Sequence, residues 1–447
     1  MKNKKKIVLL GGLILSTLFH FNSQAQEKNT ISISSKEIIK VDATQYYKEP
    51  FRPQFHFSPE KKWMNDPNGM LFHNGTYHLF YQYYPEDIVW GPMHWGHATS
   101  TDLIHWQHKK IALFPDELGY IFSGSAVMDT NNTSGLGTKE NPPMIAVFTY
   151  HNMEFEKAGK INTQTQGLAY SLDQGETWKK YNANPIINNI TLKDFRDPKV
   201  FWNEDTNQWN LVLVAGDRAQ IYTSANLLQW KLESEFGQNK GAHGGVWECP
   251  DLFKVKVNGT QEEKWVLLVS INPGAPNGGS ATQYFVGDFD GKTFTTSQKE
   301  IKWVDYGTDN YAGVTYNDAP GGERIFLGWM SNWNYARDTP TTNWRSAMTL
   351  PRTLSLSTIK GDYVLQSQPV AQLDKQLSTD FSIEKIKLNK GVDKAFAYSN
   401  INQSKIQFKA ENKNLKLVFS NDVNDLLVLQ YDAQKQTFAI DRRLSGK

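Results

Sequence analysis

A short polar motif returns along this chain ahead of an aromatic residue, and it restricts the fold to a repeated β unit. Ser100-Thr101-Asp102-Leu103-Ile104-His105-Trp106, Ser171-Leu172-Asp173-Gln174-Gly175-Glu176-Thr177-Trp178 and Ser224-Ala225-Asn226-Leu227-Leu228-Gln229-Trp230 share the pattern, with Gly287–Phe294 a weaker fourth copy. A Ser followed two residues later by Asp or Asn makes a turn that bonds its own backbone. The aromatic then opens an outer strand. Ahead of the copies stand hairpin-like pairs of alternating strands: Gly69–Tyr84, Lys199–Ala215, Asp251–Ser270 and Val314–Trp329, with Met144–Tyr150 a further apolar strand. These make five units at spacings of roughly 50–70 residues, and long helical periodicity is absent.

The fold class is therefore all-β, a five-bladed β-propeller over residues 51–355. A series of β-sandwich hairpins is the competing arrangement. A Gln-rich linker covers 356–380. From 381 to 447 short alternating stretches (Ser404–Lys409, Leu415–Ser420, Leu426–Tyr431) point to a C-terminal β-sandwich module, shorter than such modules usually are. Residues 1–25 have the form of a signal peptide: a lysine-rich start, the apolar run Ile7–Phe19, and Ser23-Gln24-Ala25 as a cleavage site. Residues 26–50 are an N-terminal lead-in. These features imply export to the periplasm or beyond, with no membrane anchor after cleavage.

Formal charge is +2, and removing the four leader lysines leaves about −2, so no basic block supports nucleic-acid binding. Cys249 is the single cysteine, which excludes an internal disulfide. His94, His97 and His105 lack metal-ligand spacing, and no Gly-rich phosphate loop is present, so the sequence calls for neither metal nor cofactor.

Three acidic motifs lie far apart: Trp63-Met64-Asn65-Asp66-Pro67-Asn68-Gly69, Phe195-Arg196-Asp197-Pro198 and Trp247-Glu248-Cys249-Pro250-Asp251. Each reads as a turn just ahead of a strand, and each alone is ordinary turn chemistry. On equivalent units of a propeller the carboxylates face one another across the central channel. That arrangement suits retaining glycoside hydrolysis, in which two carboxyl groups about 5–5.5 Å apart act as nucleophile and acid/base. Crowding raises the pKa of one carboxyl, and Arg196 beside Asp197 is expected to hold that Asp ionised. Aromatic content is 13%, and aromatic faces stack on sugar C–H faces, although most of these rings belong to cores.

The combination resembles glycoside hydrolase family 32, the β-fructofuranosidases that include invertases, levanases and inulinases, over about Phe55–Leu354. Supporting stretches are Trp90–His97, Phe122-Ser123-Gly124-Ser125 and Trp329–Trp333. The resemblance implies a five-bladed propeller followed by a β-sandwich, and release of terminal β-D-fructofuranosyl units from levan, inulin or sucrose. It makes Asp66 the nucleophile, Glu248 the acid/base and Asp197 the transition-state stabiliser. Asn65, Gln82, Trp90, Ser123, Arg196 and Trp333 match positions that shape the fructose pocket. Asn310, in Asp309-Asn310-Tyr311-Ala312, stands where that family carries an aromatic. Competing readings are a propeller glycosidase acting on arabinan or sialosides, a fructosyltransferase, and a non-catalytic glycan-binding propeller. Cys249 is read as packing beside Glu248, Trp90 as a pocket residue, and Trp95 as core.

Overall fold

The computed structural model describes residues 5–11, 47–378, 382, 392–398, 401–411 and 414–446. They fall into two compact units, Ala43–Lys375 and a second made of Met1–Asp42 with Gln376–Lys447.

The larger unit is a succession of five antiparallel sheets among the described residues. The first runs Lys62–His73, Thr76–Tyr84, His94–Ser100, Gln107–His108, and the second Tyr120–Met128, Met144–His151, Gln164–Ser171, Lys179–Lys180. The third runs Phe195–Asn203, Gln208–Ala215, Ala219–Ser224, Lys231–Phe236, and the fourth Val246–Lys256, Glu263–Asn272, Ala281–Phe289, Phe294–Thr295. The fifth is Tyr311–Thr315, Arg324–Trp329, Arg352–Ile359, Asp362–Pro369. The opening strand of each sheet packs against the opening strand of the next, and the fifth returns to the first. These five inner strands form a closed ring. A parallel pairing of Lys62 and Trp63 with Trp344 and Arg345 adds to the first sheet a short strand from the connection between the second and third strands of the fifth.

Local chemistry explains the hairpins. Asn74 and Gly75 both take positive φ (47° and 79°), the geometry that matches the twist of a two-residue β-turn. The Ser-x-Asp/Asn motif closes the third strand of the first three sheets. Ser100, Ser171 and Ser224 accept backbone N–H groups at 2.8–2.9 Å, and the indoles of Trp106, Trp178 and Trp230 donate back to the same turns at 2.9–3.1 Å. Apolar seams fill the space between sheets, with Trp63, Trp95, Trp247 and Trp329 fully buried. Trp95 is thus core.

Polar ties cross the ring. The Asn317 amide donates to Ala126 O (2.8 Å) and Val200 O (3.0 Å), and its backbone exchanges bonds with Met70 and Phe72 at 3.0 Å. Ser125 Oγ donates to Pro198 O and accepts from Val200 N. Lys199 Nζ donates to Thr315 O, and Thr315 N and Oγ1 donate to Asp251 Oδ2.

The stretch 356–380, read as a linker, instead supplies most of the outer edge of the fifth sheet as far as Pro369, then the short helix Ala371–Asp374. Its Ser and Gln residues are the exposed half of an alternating edge pair, which mimics linker composition. In the second unit, Val392–Tyr398, Lys5–Gly11, Leu415–Ser420, Leu426–Asp432 and Thr437–Leu444 form one antiparallel sheet in that order. Lys5–Gly11 belongs to the segment read as a leader. The rest of 1–25, and the lead-in up to residue 46, lie outside the described residues. Ser404–Lys409, expected as a strand, is irregular.

Asn317→Ala strips two buried carbonyls of their donor. It is expected to cost about 2–4 kcal/mol, read as a lower denaturation midpoint with an unchanged m-value.

Candidate active site

All five inner strands lose register at the same level. The slips fall between Met64 and Pro67, Ile121 and Gly124, Arg196 and Lys199, Glu248 and Asp251, and Tyr311 and Val314. A β-bulge leaves residues unpaired and turns their side chains out of the alternation. Asp66, Ser123, Asp197, Cys249 and Ala312 occupy these slips. Asp197, Cys249 and Ala312 take the left-handed conformation, at φ 63°, 45° and 55°. Pro67, Pro198 and Pro250 stand where the ladder is interrupted, positions that tolerate a residue with no N–H. The acids therefore lie within inner strands, not in turns ahead of them.

The bulges bring most of the sequence candidates into one network. Ser123 Oγ donates to Asp66 Oδ2 at 2.7 Å, and Asn65 Nδ2 donates to Asp66 Oδ1 at 2.9 Å. Asn65 is itself held by the Trp63 indole (2.8 Å), on which Trp333 stacks with centroids 6.0 Å apart. The Cys249 thiol lies 3.6 Å from Asp66 Oδ2 and 3.5 Å from Asp197 Oδ2, and the Cys249 amide donates to the latter at 2.9 Å. Asp197 N donates to Thr149 Oγ1, which donates to Gln166 Oε1. Arg196 grips Glu248 Oε1 through Nε (3.2 Å) and NH2 (2.9 Å), and Asp194 through NH1 (2.6 Å). Tyr311 donates its hydroxyl to Glu248 Oε2.

Gln82 and Trp90 stand beside this network. With the Asn68 amide nitrogen turned to Ser123 Oγ (3.1 Å), its oxygen accepts from Gln82 N and Nε2 at 3.0 Å each. Trp90 is half-buried against Tyr120 and Phe122, next to Ser123. Below the carboxylates lies a cavity of about 10 Å³ lined by Pro67, Ser125, Lys199 and Cys249 among others. His97 is paired with His78 at 3.1 Å in the core, and no cluster with metal-holding geometry occurs among the described residues.

The electrostatics divide the acids. Burial pushes Glu248 up to about 7, and the charges of Asp197 and Asp66 push the same way, against the pull of Arg196. Asp197 is raised to about 6, again mainly by burial. Arg196 pulls the Asp197 pKa down, as its neighbouring position suggested, but does not offset the burial. Its Nε is 3.9 Å from Asp197 Oδ2, and its close bonds go to Glu248 and Asp194. Burial also drives the Cys249 thiol well above its ordinary pKa.

The sequence profile of the glycosyl hydrolases family 32 N-terminal domain matches residues 56–369. The chain belongs to this family. Among family 32 relatives, it is 54% identical to a levanase of Bacillus subtilis (strain 168) over 334 residues, 74% of this chain and 48% of that one. The chain thus spans about half the length of that relative. It is 42% identical to an extracellular exo-inulinase of Aspergillus ficuum over 434 residues, 90% and 81% of the two chains. Among solved structures, the exo-inulinase of Aspergillus awamori superposes with a TM-score of 0.75 at 36% identity, covering 90% of this chain and 84% of its own. Asn310 donates to Asp305 at 2.6 Å, and the neighbouring Tyr311 is the residue that bonds Glu248.

Tyr311, Asp194, Thr149, Gln164 and Gln166 escaped the sequence reading. The available signal was polar residues interrupting otherwise buried strands, as Thr149 does in Met144–His151.

Two outcomes follow from the burial of these groups. Loss of a proton from the carboxyl cluster is expected to give kcat/KM an alkaline limb near pH 7. Cys249 in the native protein is expected to resist iodoacetamide at pH 8 and to react once the chain is unfolded, as followed by intact mass.

Proposed function

We propose that the protein is an exported, retaining β-fructofuranosidase that releases terminal β-D-fructofuranosyl units from fructans, with sucrose a further substrate. The observation that carries this reading is the division of labour among the acids. Glu248 stays protonated up to about neutral pH while the Asp66 carboxyl is held from both sides by Ser123 and Asn65. In the first step an Asp66 oxygen attacks the anomeric carbon of the fructosyl unit. The bond to the leaving oxygen breaks as Glu248 gives that oxygen its proton. In the second step water attacks the same carbon, Glu248 takes a proton from it, and Asp66 leaves as a carboxylate.

Asp197, deep between the two, binds fructose hydroxyls and stabilises the oxocarbenium-like transition state. Arg196 and Tyr311 fix the Glu248 carboxyl. Asn65, Gln82 and Ser123 supply polar contacts, while Trp90 and Trp333 form apolar walls for the sugar. In this reading the five sheets are the blades of a five-bladed propeller, and the strands between 392 and 444 belong to a β-sandwich module from which leader cleavage removes Lys5–Gly11.

The substrate class is supported by the printed names of the relatives: levanase, exo-inulinase and, at 39% identity, an invertase of Schizosaccharomyces pombe. Export is supported by the basic start and apolar run of the first 25 residues, and by relatives described as extracellular. No helix among the described residues is long and apolar enough to cross a membrane.

Incubation with levan, inulin and sucrose, with products separated by chromatography, tests the activity. Free fructose from the earliest times supports exo release, whereas absence of release from all three sinks the reading. Asp66→Ala and Glu248→Ala are each expected to lower kcat by about three orders of magnitude or more while leaving the thermal midpoint near that of the parent.

A further inference from the structure

Behind Arg196 runs a chain of side chains that the reaction does not itself require. His151 ends the second strand of the second sheet and stands directly opposite Gln164 in the register. Gln164 Nε2 is 3.2 Å from His151 Nδ1, and His151 Nε2 is 2.8 Å from Glu156 Oε2, on the short helix Met153–Lys157. At its other end Gln164 Oε1 accepts Phe195 N at 2.7 Å and Arg196 NH1 at 3.3 Å.

The donors and acceptors allow one assignment. Phe195 N and Arg196 can only donate, so the oxygen of Gln164 must face them and its NH₂ must face His151. His151 Nδ1 then accepts, and its proton sits on Nε2, which donates to Glu156 Oε2. The ring is buried and stacked on Phe122, with centroids 4.4 Å apart and planes 4° from parallel. The geometry points to His151 as a positioning residue: held by Glu156, it fixes the orientation of the Gln164 amide and thereby the guanidinium of Arg196 against Glu248. This rests on the proposed roles of Arg196 and Glu248.

The relay has a direction that acid reverses. A protonated His151 carries a hydrogen on Nδ1, which then faces the NH₂ of Gln164, donor against donor. Turning the amide relieves that clash at the expense of both bonds at its other end. The charged groups facing His151 are Glu156 from the helix and Arg196 and Asp194 from the third sheet. Burial outweighs the pull of Glu156 and lowers the pKa of His151, so the relay is intact at neutral pH and fails as pH falls below the ordinary histidine range.

His151→Asn keeps an acceptor where Nδ1 stands but does not titrate, whereas His151→Phe keeps the stack on Phe122 and removes the acceptor. On the best substrate, His151→Phe is expected to lose about tenfold or more in kcat/KM. His151→Asn should stay within about threefold of the parent at neutral pH and show a shallower acid limb of kcat/KM, set by the carboxyls alone. In a Gln164→Met background, His151→Phe should add nothing further.

A second readout needs no turnover: the two side-chain N–H resonances of the Gln164 amide, followed from about pH 7.5 down to 4.5. They should shift together in the parent and stay still in His151→Asn. The inference is overturned if those resonances ignore pH in the parent, or if the acid limb of His151→Asn is as steep as the parent's. Unchanged activity in folded His151→Phe would overturn it as well. Should His151→Phe not fold, His151→Asn and Gln164→Met decide the matter. A parent that hydrolyses no fructan but shows the coupled shifts would sink the functional reading and leave the relay standing.

Discussion

The carboxamide of Asn317 is where the ring is held shut. One NH₂ group serves carbonyls on the second and third inner strands, while the backbone of the same residue is bonded to the first. Inner strands in such a ring diverge from their neighbours and cannot form continuous ladders with them. Their facing backbone groups must find partners elsewhere, because burying them unpaired is costly. Asn317, Ser125 and the Lys199–Asp251–Thr315 group meet that requirement between them. They link all five inner strands just below the carboxylates.

Those ties matter to the chemistry because the acids arrive on different sheets. Asp66 comes from the first, Asp197 from the third and Glu248 from the fourth, each projected by a bulge. Their mutual distances are set by the ring, with Cys249 as the spacer between Asp66 and Asp197. A single arginine is distributed over Glu248, Asp194 and, at longer range, Asp197. One cation cannot offset that many buried carboxyls, so part of the cluster keeps its protons near neutrality. A proton donor at Glu248 follows from crowding and burial as much as from any dedicated partner.

Much of this was legible in the sequence, for identifiable reasons. The Ser-x-Asp/Asn turns are readable because the side chains that bond each turn lie within seven residues of one another. The acid motifs are readable as punctuation, yet they read as turns ahead of strands where Pro67, Pro198 and Pro250 lie within them. Proline, asparagine and glycine give the same local signal for both. Tyr311 was hidden because an aromatic in a buried strand resembles core. His151 and Gln164 were hidden because their meaning lies across a strand pair, thirteen residues apart in the chain. The outer edge of the fifth sheet passed for a linker because half its residues are polar by design of the alternation.

The seam of the ring carries a topological consequence. Lys62 and Trp63 pair with Trp344 and Arg345, from the connection between the second and third strands of the fifth sheet, so the fifth sheet is tied to the first by strand pairing and not by a peptide bond. A closed ring of like sheets has no intrinsic first member. Which sheet comes first in the gene is a matter of where the chain was cut, and the loops between neighbouring sheets are equivalent places to cut it. The order Asp66, Asp197, Glu248 is thus one cyclic reading of a site whose geometry is indifferent to its starting point. A circular permutant opened between the second and third sheets, with the old ends joined across the seam, would present the same carboxylates in a new order.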